Sequence, residues 1–335
     1  HDGAPDLFVG GRSVPRQYGS SPSSYLYVND GKGHFTDIAA TKNPDISNMG
    51  MVTGACWANI SGGPDKDLVI TGEWMSPRIF SFKKDHFVEL PTNLSGLYGW
   101  WEQVAATDVN GDGKMDLILG NIGENFYLRP DSARPVKLWI NDYDQNGNMD
   151  NMLSKTVDGK DVPVFLKHDL EFQMPILKKQ NLKHGDFAKK TIQELVPEEL
   201  LKTSLVKKFN YCPSVVAINQ GNGQFIIRKL PVMVQLSSVN AIQCTDLNGD
   251  GYPDLILGGN EFGFLPQFGR LDGSFGDVLL NDGKGNFSFM ENARSGLNLQ
   301  GQVRDIGLIK GQKKTRVLFL INDEYPVLYE TGSKK

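Results

Sequence analysis

Three short acidic segments carry oxygen-bearing side chains at a regular spacing. The first, Asp108–Asp116 (DVNGDGKMD), has them at its positions 1, 3, 5 and 9. Alternate side chains of a tight loop turn toward one centre, and the two glycines let the chain curl around it. Hard oxygen ligands without imidazole or thiolate favour calcium over zinc or copper. We therefore predict a calcium loop, distinct from an EF-hand because position 12 is Leu119 rather than glutamate.

The pattern occurs twice more, so about three Ca²⁺ sites are expected. Two other readings exist: Asp, Asn and Gly also favour turns, and paired carboxylates also act in catalysis. The catalytic reading is disfavoured because carboxylates committed to a metal are poor general acids and no nucleophile adjoins them. The predicted ligands, with Lys114, Asn148 and Tyr252 acting through backbone carbonyls, are Asp108, Asn110, Asp112, Lys114, Asp116, Asp142, Asp144, Asn146, Asn148, Asp150, Asp246, Asn248, Asp250, Tyr252 and Asp254.

Two further copies of the loop are incomplete. Residues 59–73 (NISGGPDKDLVITGE) keep Asp67 but have Asn59, Ser61 and Gly63 at the earlier ligand positions. Residues 2–12 (DGAPDLFVGGR) retain only Asp2 and Asp6 of the first loop. We expect no metal at either place.

The composition restricts the function class. The chain has 335 residues, 39% of them hydrophobic, and a formal net charge of -4, which gives no reason to expect nucleic acid as a partner. No apolar run approaches the roughly 18 residues of a membrane-spanning helix, so no integral membrane segment is expected. The three cysteines are far apart and the five histidines do not cluster, which disfavours a disulfide framework, a zinc site and a histidine-based catalytic centre.

The elements that position the loops are short strands in a repeat. A second motif, such as VLLNDGKGNFSFM from Val278, follows most acidic loops and is typical of a β-hairpin. Four antiparallel strands per repeat of about 40–60 residues predict an all-β fold, a β-propeller of four-stranded blades. Ring closure needs a strand from elsewhere or further upstream residues, and seven blades in the parent protein would be compatible with this. The six blade-like units begin near His1, Met51, Trp100, Asp142, Gln235 and Gln302.

One segment interrupts the rhythm of this single domain, which spans residues 1–335. Residues 156–209 include DFAKKTIQELVPEELLKTSLVKKF, in which Phe187, Ile192 and Leu195 would share one helical face. Pro197 is suited to begin a further helical turn. We predict a mostly helical insertion within the fourth blade, which would present either a solvated face or a docking surface.

A ligand site is expected on the face opposite the acidic loops. Polar residues follow the second strand of four units, and ring symmetry would gather them around the central funnel. Aromatic residues nearby would suit a sugar or a peptide. The alternative is that these residues only satisfy backbone groups or pack between blades. The candidates are Arg12, Glu73, Asn121 and Asn260, with Tyr18, Trp74, Trp100, Trp101 and Phe262.

The acidic loops and hairpins resemble the FG-GAP or VCBS repeat, the blade of integrin α-subunit propellers. Linking segments such as GWWEQVAATDVNGDGKMDLILGN and LPVMVQLSSVNAI are similar to the C-terminal half of large surface VCBS repeat proteins of Bacteroidota, often with ASPIC/UnbV-type domains. The resemblance implies a calcium-stabilised propeller that is exported, extracellular or at the outer-membrane surface. It also suggests an accessory role beside SusC/SusD-like nutrient importers.

Three functions follow as expectations. The first is a non-enzymatic binding or scaffolding module that docks a protein or glycan at the cell surface. The second is a propeller-fold polysaccharide lyase or hydrolase, although we identify no coherent acid and base. The third is a purely structural part of a larger exported chain.

Overall fold

The computed structural model describes residues 3–175, 177–178, 183–312 and 314–332. The described chain is mostly β, in antiparallel sheets, as the alternating sequence predicts. No described helix is long and apolar enough to cross a membrane. His1 and Asp2 lie outside the described residues, so the expectation of no metal in the first loop stays a prediction at Asp2.

Five sheets follow one another along the chain, and a sixth is inserted into the third. Strand β5 also pairs with β8 through Glu73 and Trp100, which joins sheets II and III edge to edge. Sheet I contains β1 (Leu7–Val9), β2 (Tyr25–Asn29) and β3 (Phe35–Asp37). Sheet II contains β4 (Met51–Ala58), β5 (Asp67–Met75), β6 (Arg78–Lys83) and β7 (His86–Glu89). Sheet III contains β8 (Gly99–Thr107), β9 (Asp116–Asn121), β14 (Val215–Gly221) and β15 (Gln224–Lys229).

The remaining sheets and the helices complete the described chain. Sheet IV contains β16 (Val239–Thr245), β17 (Asp254–Gly259), β18 (Asp277–Asn281) and β19 (Phe287–Met290), and sheet V contains β20 (Val303–Lys310), β21 (Thr315–Ile321) and β22 (Val327–Glu330). The inserted sheet contains β10 (Val136–Asn141), β11 (Asp150–Val157), β12 (Lys160–Pro163) and β13 (Leu205–Phe209). The helices are α1 (Ala39–Lys42), α2 (Pro44–Ser47), α3 (Lys167–Gln173), α4 (His184–Phe187), α5 (Ile192–Leu195), α6 (Glu198–Thr203) and α7 (Asn292–Ser295), with 3-10 turns at Val234–Leu236 and Pro266–Phe268.

The predicted fourth unit is wrong in its place and its composition. Strand β9 pairs directly with β14, with Val215 opposite Leu119, so sheet III is completed only after the insertion. The strands that begin near Asp142 belong to the inserted sheet, which among the described residues pairs with none of the repeated sheets. The insertion lies in the third unit and is a sheet with helices, because β13, inside the predicted limits, hydrogen-bonds to β10, which lies before them.

The insertion has two apolar faces. One face packs on Trp74 and Trp100 of the repeated sheets through Leu138 and Leu153. Helices α3, α4 and α5 cover the other face, where Phe187, Ile192 and Leu195 are all buried. They do not share one helix as expected, because Phe187 ends α4 and a capping box at Thr191 begins α5. Burial on both faces fixes the inserted sheet against sheets II and III.

Glycines allow neighbouring sheets to approach closely. In three sheets the glycine four residues after the aspartate that precedes or begins the strand contacts a valine of the next sheet. A Cβ on Gly258 would lie 2.4 Å from a methyl carbon of Val303, and one on Gly10 would lie 2.4 Å from Val52. A Cβ on Gly120 would lie 2.3 Å from the carbonyl oxygen of Val239. These three glycines therefore mark where consecutive sheets pack closely.

Each first strand from sheet II onward is distorted at the same point. The register of β4, β8, β16 and β20 against the following strand shifts by one residue. Such a bulge leaves one residue unpaired and re-aims its side chain. The residues at this position are Thr53, Glu102, Asn240 and Arg304.

Candidate functional site

A cavity of about 410 Å³ lies where the repeated sheets meet the inserted sheet. Sheets II and III supply the end of β5 and the start of β8, and the loops after β1 and β17 close the sides. The inserted sheet and α3 contribute Leu138, Leu153 and Gln173. Five of the nine predicted ligand residues line this cavity, namely Arg12, Tyr18, Glu73, Trp74 and Trp100. We call it the axial cavity.

A hydrogen-bond network joins four of these residues. Arg12 Nη2 donates to Glu73 Oε1 at 2.6 Å, and the Tyr18 hydroxyl donates to Glu73 Oε2 at 2.8 Å. The same hydroxyl accepts a hydrogen bond from Trp74 Nε1 at 2.8 Å. Burial, followed by the charge of Glu73, raises the pKa of Tyr18 well above its ordinary value, so the phenol stays protonated. Both oxygens of Glu73 are therefore oriented by fixed donors.

Trp74 adopts a backbone conformation that is rare for a bulky residue. Its φ is +60°, and the pairing of β5 with β8 shifts register between Glu73 and Met75. Left-handed backbone at a non-glycine residue costs about 1–3 kcal/mol and persists where the surroundings impose it. Here the kink lets two consecutive residues, Glu73 and Trp74, both face the axial cavity, whereas a regular strand would point them to opposite faces.

Glu102 is the most constrained acid of the cavity. Its side chain is 9% exposed, and one Oε2 lies 4.0 Å from Arg12 Nη2. Burial and the charge of Glu73 raise its pKa to about 8, although Arg12 and Arg304 act in the opposite direction. Burial therefore favours the protonated form of Glu102 over the charged form.

Aromatic rings form one wall of the cavity. Tyr127 stacks on Phe268 with ring centroids 4.2 Å apart and an interplanar angle of 9°. Phe264 adjoins this pair and lies 6.4 Å from Trp100, with nearly parallel rings. Such a wall suits the apolar face of a ligand, while the carboxyl groups at the other side suit its polar groups.

Four predicted ligand residues lie elsewhere. Trp101 is fully buried in the core of sheets II and III and donates Nε1–H to the Leu97 carbonyl. Asn121 and Asn260 are also buried and satisfy backbone groups, which is the alternative considered for them from sequence. Phe262 packs under the guanidinium of Arg270, 4.7 Å from the ring centroid.

In two sheets the residue after the predicted asparagine faces the cavity instead. Ile122 follows Asn121 and Glu261 follows Asn260, and both line the cavity. Glu102 was missed because its position depends on the bulge, which has no distinct sequence signal. The other lining residues that the sequence did not single out come from the insertion and long loops, namely Tyr127, Leu138, Asn151, Leu153, Phe165, Gln173, Gly263, Phe264, Leu265 and Phe268.

The acidic loops share one closing contact. The last aspartate accepts a hydrogen bond from the backbone N–H of the residue seven positions earlier: Asp116 from Val109 at 2.9 Å, Asp150 from Tyr143 at 3.0 Å and Asp254 from Leu247 at 2.9 Å. The first aspartate accepts further N–H groups, as when Asp108 binds Gly111 and Gly113. These bonds show that the acidic side chains do stabilise the turns. Each carboxylate oxygen has further lone pairs, so the acids can still act as hard oxygen ligands of a metal ion.

The loop of the inserted sheet brings its acids closest together. Ligand atoms of Asp142, Asp144 and Asp150 all lie within 4.8 Å of one another, the one such carboxylate trio within the described residues. Burial and the charges of Asp144 and Asp142 raise the pKa of Asp150 to about 6, and burial also raises the pKa of Asp116. A divalent cation would relieve this repulsion, so the residues present fit calcium.

The incomplete loops use other contacts. In the second unit Asp67 accepts bonds from the backbone of Ile60 and Ser61 and from the Ser81 hydroxyl. In the first, Asp6 accepts a bond from the Asn29 N–H at 3.0 Å.

The fold and loops define a class: an all-β chain of repeated antiparallel sheets, with an acidic loop between the first and second strands of the repeat. Residues 64–119 match the family model of the FG-GAP-like repeat. The match runs from the incomplete loop of sheet II, through β5, β6, β7 and β8, into β9, so this segment is similar to the repeat. A comparison with curated proteins finds no significant match.

Proposed function

We propose that the chain is a calcium-stabilised β-propeller module that binds a protein or glycan at the cell surface through its axial cavity. The observation that carries the proposal is the meeting of Arg12, Tyr18, Glu73, Trp74 and Trp100 in one cavity, although they come from separate parts of the chain. Glu73 lines this cavity with both carboxylate oxygens held by donors, Arg12 and Tyr18, so its position there is fixed before any ligand binds. A ring arrangement is supported by the consecutive packing of first strands, each against the preceding sheet.

The calcium part of the proposal rests on the donor set of the three loops. Each provides carboxylate, amide and backbone oxygens, the ligands that Ca²⁺ takes. The location, extracellular or at the outer-membrane surface and accessory to a SusC/SusD-like importer, rests only on the resemblance of the linking motifs. In this proposal calcium holds the hairpins and the cavity recognises the ligand.

The experiment is a pull-down from the native membrane fraction with the Arg12→Ala/Glu73→Ala double variant. Loss of a partner that the unchanged protein retains is expected, because the variant removes the ion pair at the cavity. The matched control is Arg78→Ala/Glu89→Ala, which removes a comparable ion pair on β6 and β7. Equal capture by all three proteins, with both variants folded, would contradict the proposal.

A second candidate, a polysaccharide lyase or hydrolase, is favoured by one observation. Burial and the charge of Glu73 raise the pKa of Glu102, whereas Glu73 is ion-paired with Arg12. Glycoside hydrolysis employs two carboxyl groups, of which one holds a proton and the other is charged. Turnover of a polysaccharide by the unchanged protein, abolished in Glu102→Gln, would establish it. Absence of turnover across a broad panel would leave binding as the function.

A further inference from the structure

Glu102 is a largely buried acid. The described residues do not use the hydrogen-bonding capacity of its carboxyl group. Within the described residues no hydrogen bond reaches its carboxyl group, and its one ion-pair contact there is with Arg12 at 4.0 Å. The bulge of β8 places the side chain at the cavity, where it is one of the lining groups. The cavity lining also includes two fully buried polar atoms without a hydrogen-bond partner among the described residues, Trp100 Nε1 and Asn151 Oδ1. Because an unpartnered polar group is costly, such groups at a cavity indicate a ligand that bonds to them.

The charges around Glu102 are balanced without it. The charged groups that act on it are Glu73 and Glu261 on the negative side and Arg12 and Arg304 on the positive side. Arg12 pairs with Glu73 at 2.6 Å, and Arg304 lies 3.5 Å from Glu261. These four groups form two ion pairs with each other, and burial favours the neutral form of Glu102. A charged ligand would therefore have to displace one of these ion pairs, which favours an uncharged ligand.

The rest of the cavity suits a ring with two kinds of surface. The stacked pair Tyr127 and Phe268 offers an apolar wall, and Phe264 extends it. The volume, about 410 Å³, falls in the range of small-molecule sites, roughly 300–1,000 Å³. Sugar rings have an apolar face of C–H groups and an edge of hydroxyl groups, which matches an aromatic wall opposite polar side chains.

We propose that the axial cavity binds an uncharged saccharide unit, stacked on the aromatic wall and hydrogen-bonded through its hydroxyl groups to the Glu102 carboxyl. This inference rests on the proposed binding function and narrows its ligand. A protonated carboxyl both donates and accepts, so it can bond to two neighbouring hydroxyl groups. Tyr18 and Arg12 stand at the mouth, where a longer chain would leave the cavity.

The first experiment presents the protein to an array of neutral, amino and acidic oligosaccharides, followed by titration with the best neutral ligand. The free-amine and carboxylate analogues of the same saccharide are titrated in parallel. The neutral saccharide is expected to bind at least tenfold more tightly than either charged analogue. No binding of any neutral saccharide, or preference for a charged analogue, would overturn the inference.

The second experiment uses Glu102→Gln and Glu102→Ala. Glutamine keeps the shape, one donor and one acceptor, so affinity for the neutral ligand should stay within about threefold, whereas alanine should weaken it about tenfold, equivalent to one lost hydrogen bond. Raising the pH from 7 to 9.5 should weaken binding by the unchanged protein and leave Glu102→Gln unaffected. An amine ligand would give the opposite result: Glu102→Gln would abolish its binding, and a higher pH would strengthen its binding to the unchanged protein.

A third variant tests the inference in case the protein does not fold with a substitution at residue 102. Tyr127→Ala removes the stacking partner of Phe268 and should weaken the neutral saccharide about tenfold or more, without a shift in pH dependence. If the membrane partner is still lost in Arg12→Ala/Glu73→Ala but no saccharide binds, the proposed function stands and this inference fails. If the double variant still captures the membrane partner and no saccharide binding is affected by the variants, both the proposed function and this inference fail.

Discussion

Tyr18 and Glu73 are 55 positions apart, yet the Tyr18 hydroxyl donates to the Glu73 carboxylate at 2.8 Å while it accepts from Trp74. This contact joins the loop after β1 to the end of β5 and so holds sheet I to sheet II on the side of the axial cavity. It makes a single hydroxyl responsible for both the orientation of an acid and the position of a strained tryptophan.

Tyr18→Phe should therefore lower the free energy of unfolding by about 1–3 kcal/mol, since it leaves the buried Trp74 N–H and one Glu73 oxygen without their partner. Urea denaturation at pH 7 measures the change. The control is Tyr25→Phe, whose partly exposed ring stacks on Tyr27, and it should change stability by less than about 0.5 kcal/mol. Equal effects in the two variants would show that the hydroxyl network is not stabilising.

Gly258→Ala should destabilise the protein by about 1–3 kcal/mol or more, because its Cβ would lie 2.4 Å from Val303 at the contact between sheets IV and V. Gly307→Ala, where a Cβ meets nothing within 4 Å, is the control and should be neutral or slightly stabilising. Thermal unfolding of the two variants separates close packing from a general effect of alanine. A Gly258 variant as stable as the control would contradict the packing of these sheets.

Asn260→Ala should cost about 3 kcal/mol or more, as the side chain accepts from Ser237 and Ser274 and donates to two carbonyls, including that of Gly301. The backbone φ of Asn260 is +82°, a conformation that alanine tolerates less well than asparagine, and this adds to the cost of the substitution. Chemical denaturation is compared with that of Asn298→Ala, an exposed asparagine that should change little. Ligand binding by the surviving folded fraction of Asn260→Ala should be unaltered, because the residue does not face the cavity.

Calcium should raise the melting temperature, and a chelator should lower it. At a hundredfold excess over Kd, one site stabilises by about 2.7 kcal/mol, which is a shift of several degrees. Asp142→Ala should reduce the calcium response because it removes one of the three closest carboxylates. Asn59→Ala, in the incomplete loop of sheet II, should leave the response intact. A melting temperature indifferent to calcium in the unchanged protein would refute the metal sites.

Asp277 gives stability a pH dependence of defined sign. Burial raises its pKa to about 7, while an unfolded aspartate titrates near ~3.9. The folded state therefore holds the proton more tightly, so stability is greatest below both values and falls as pH rises toward 7, then levels. The difference in unfolding free energy between Asp277→Asn and the unchanged protein should thus grow in favour of the variant by about 1 kcal/mol or more from pH 5 to pH 8. A difference independent of pH would contradict this assignment.

Local sequence determined the strands, the turns and the acidic loops, because each depends on residues close together along the chain. The repeated Asp-Leu segment marked the second strand, and in three sheets the glycine four residues after its aspartate marks the contact with the next sheet. The same repeats, with alternation of apolar residues, identified an all-β fold and pointed to Arg12, Tyr18, Glu73, Trp74 and Trp100, which the structure brings into one cavity.

Tertiary structure decided the remainder. The pairing of β9 with β14 spans a long insertion, and no local pattern distinguishes it from pairing with the nearer β10. Strand register decides which side chains face the cavity, because a shift of one residue reverses the side-chain direction. In this way a bulge directs Glu102 to the cavity, and Glu261 rather than Asn260 lines it. Residues of the insertion reach the cavity only because their sheet packs on Trp74 and Trp100, a contact between segments far apart in sequence. The sequence thus determined the repeated elements, whereas long-range packing selected which of their side chains face one another.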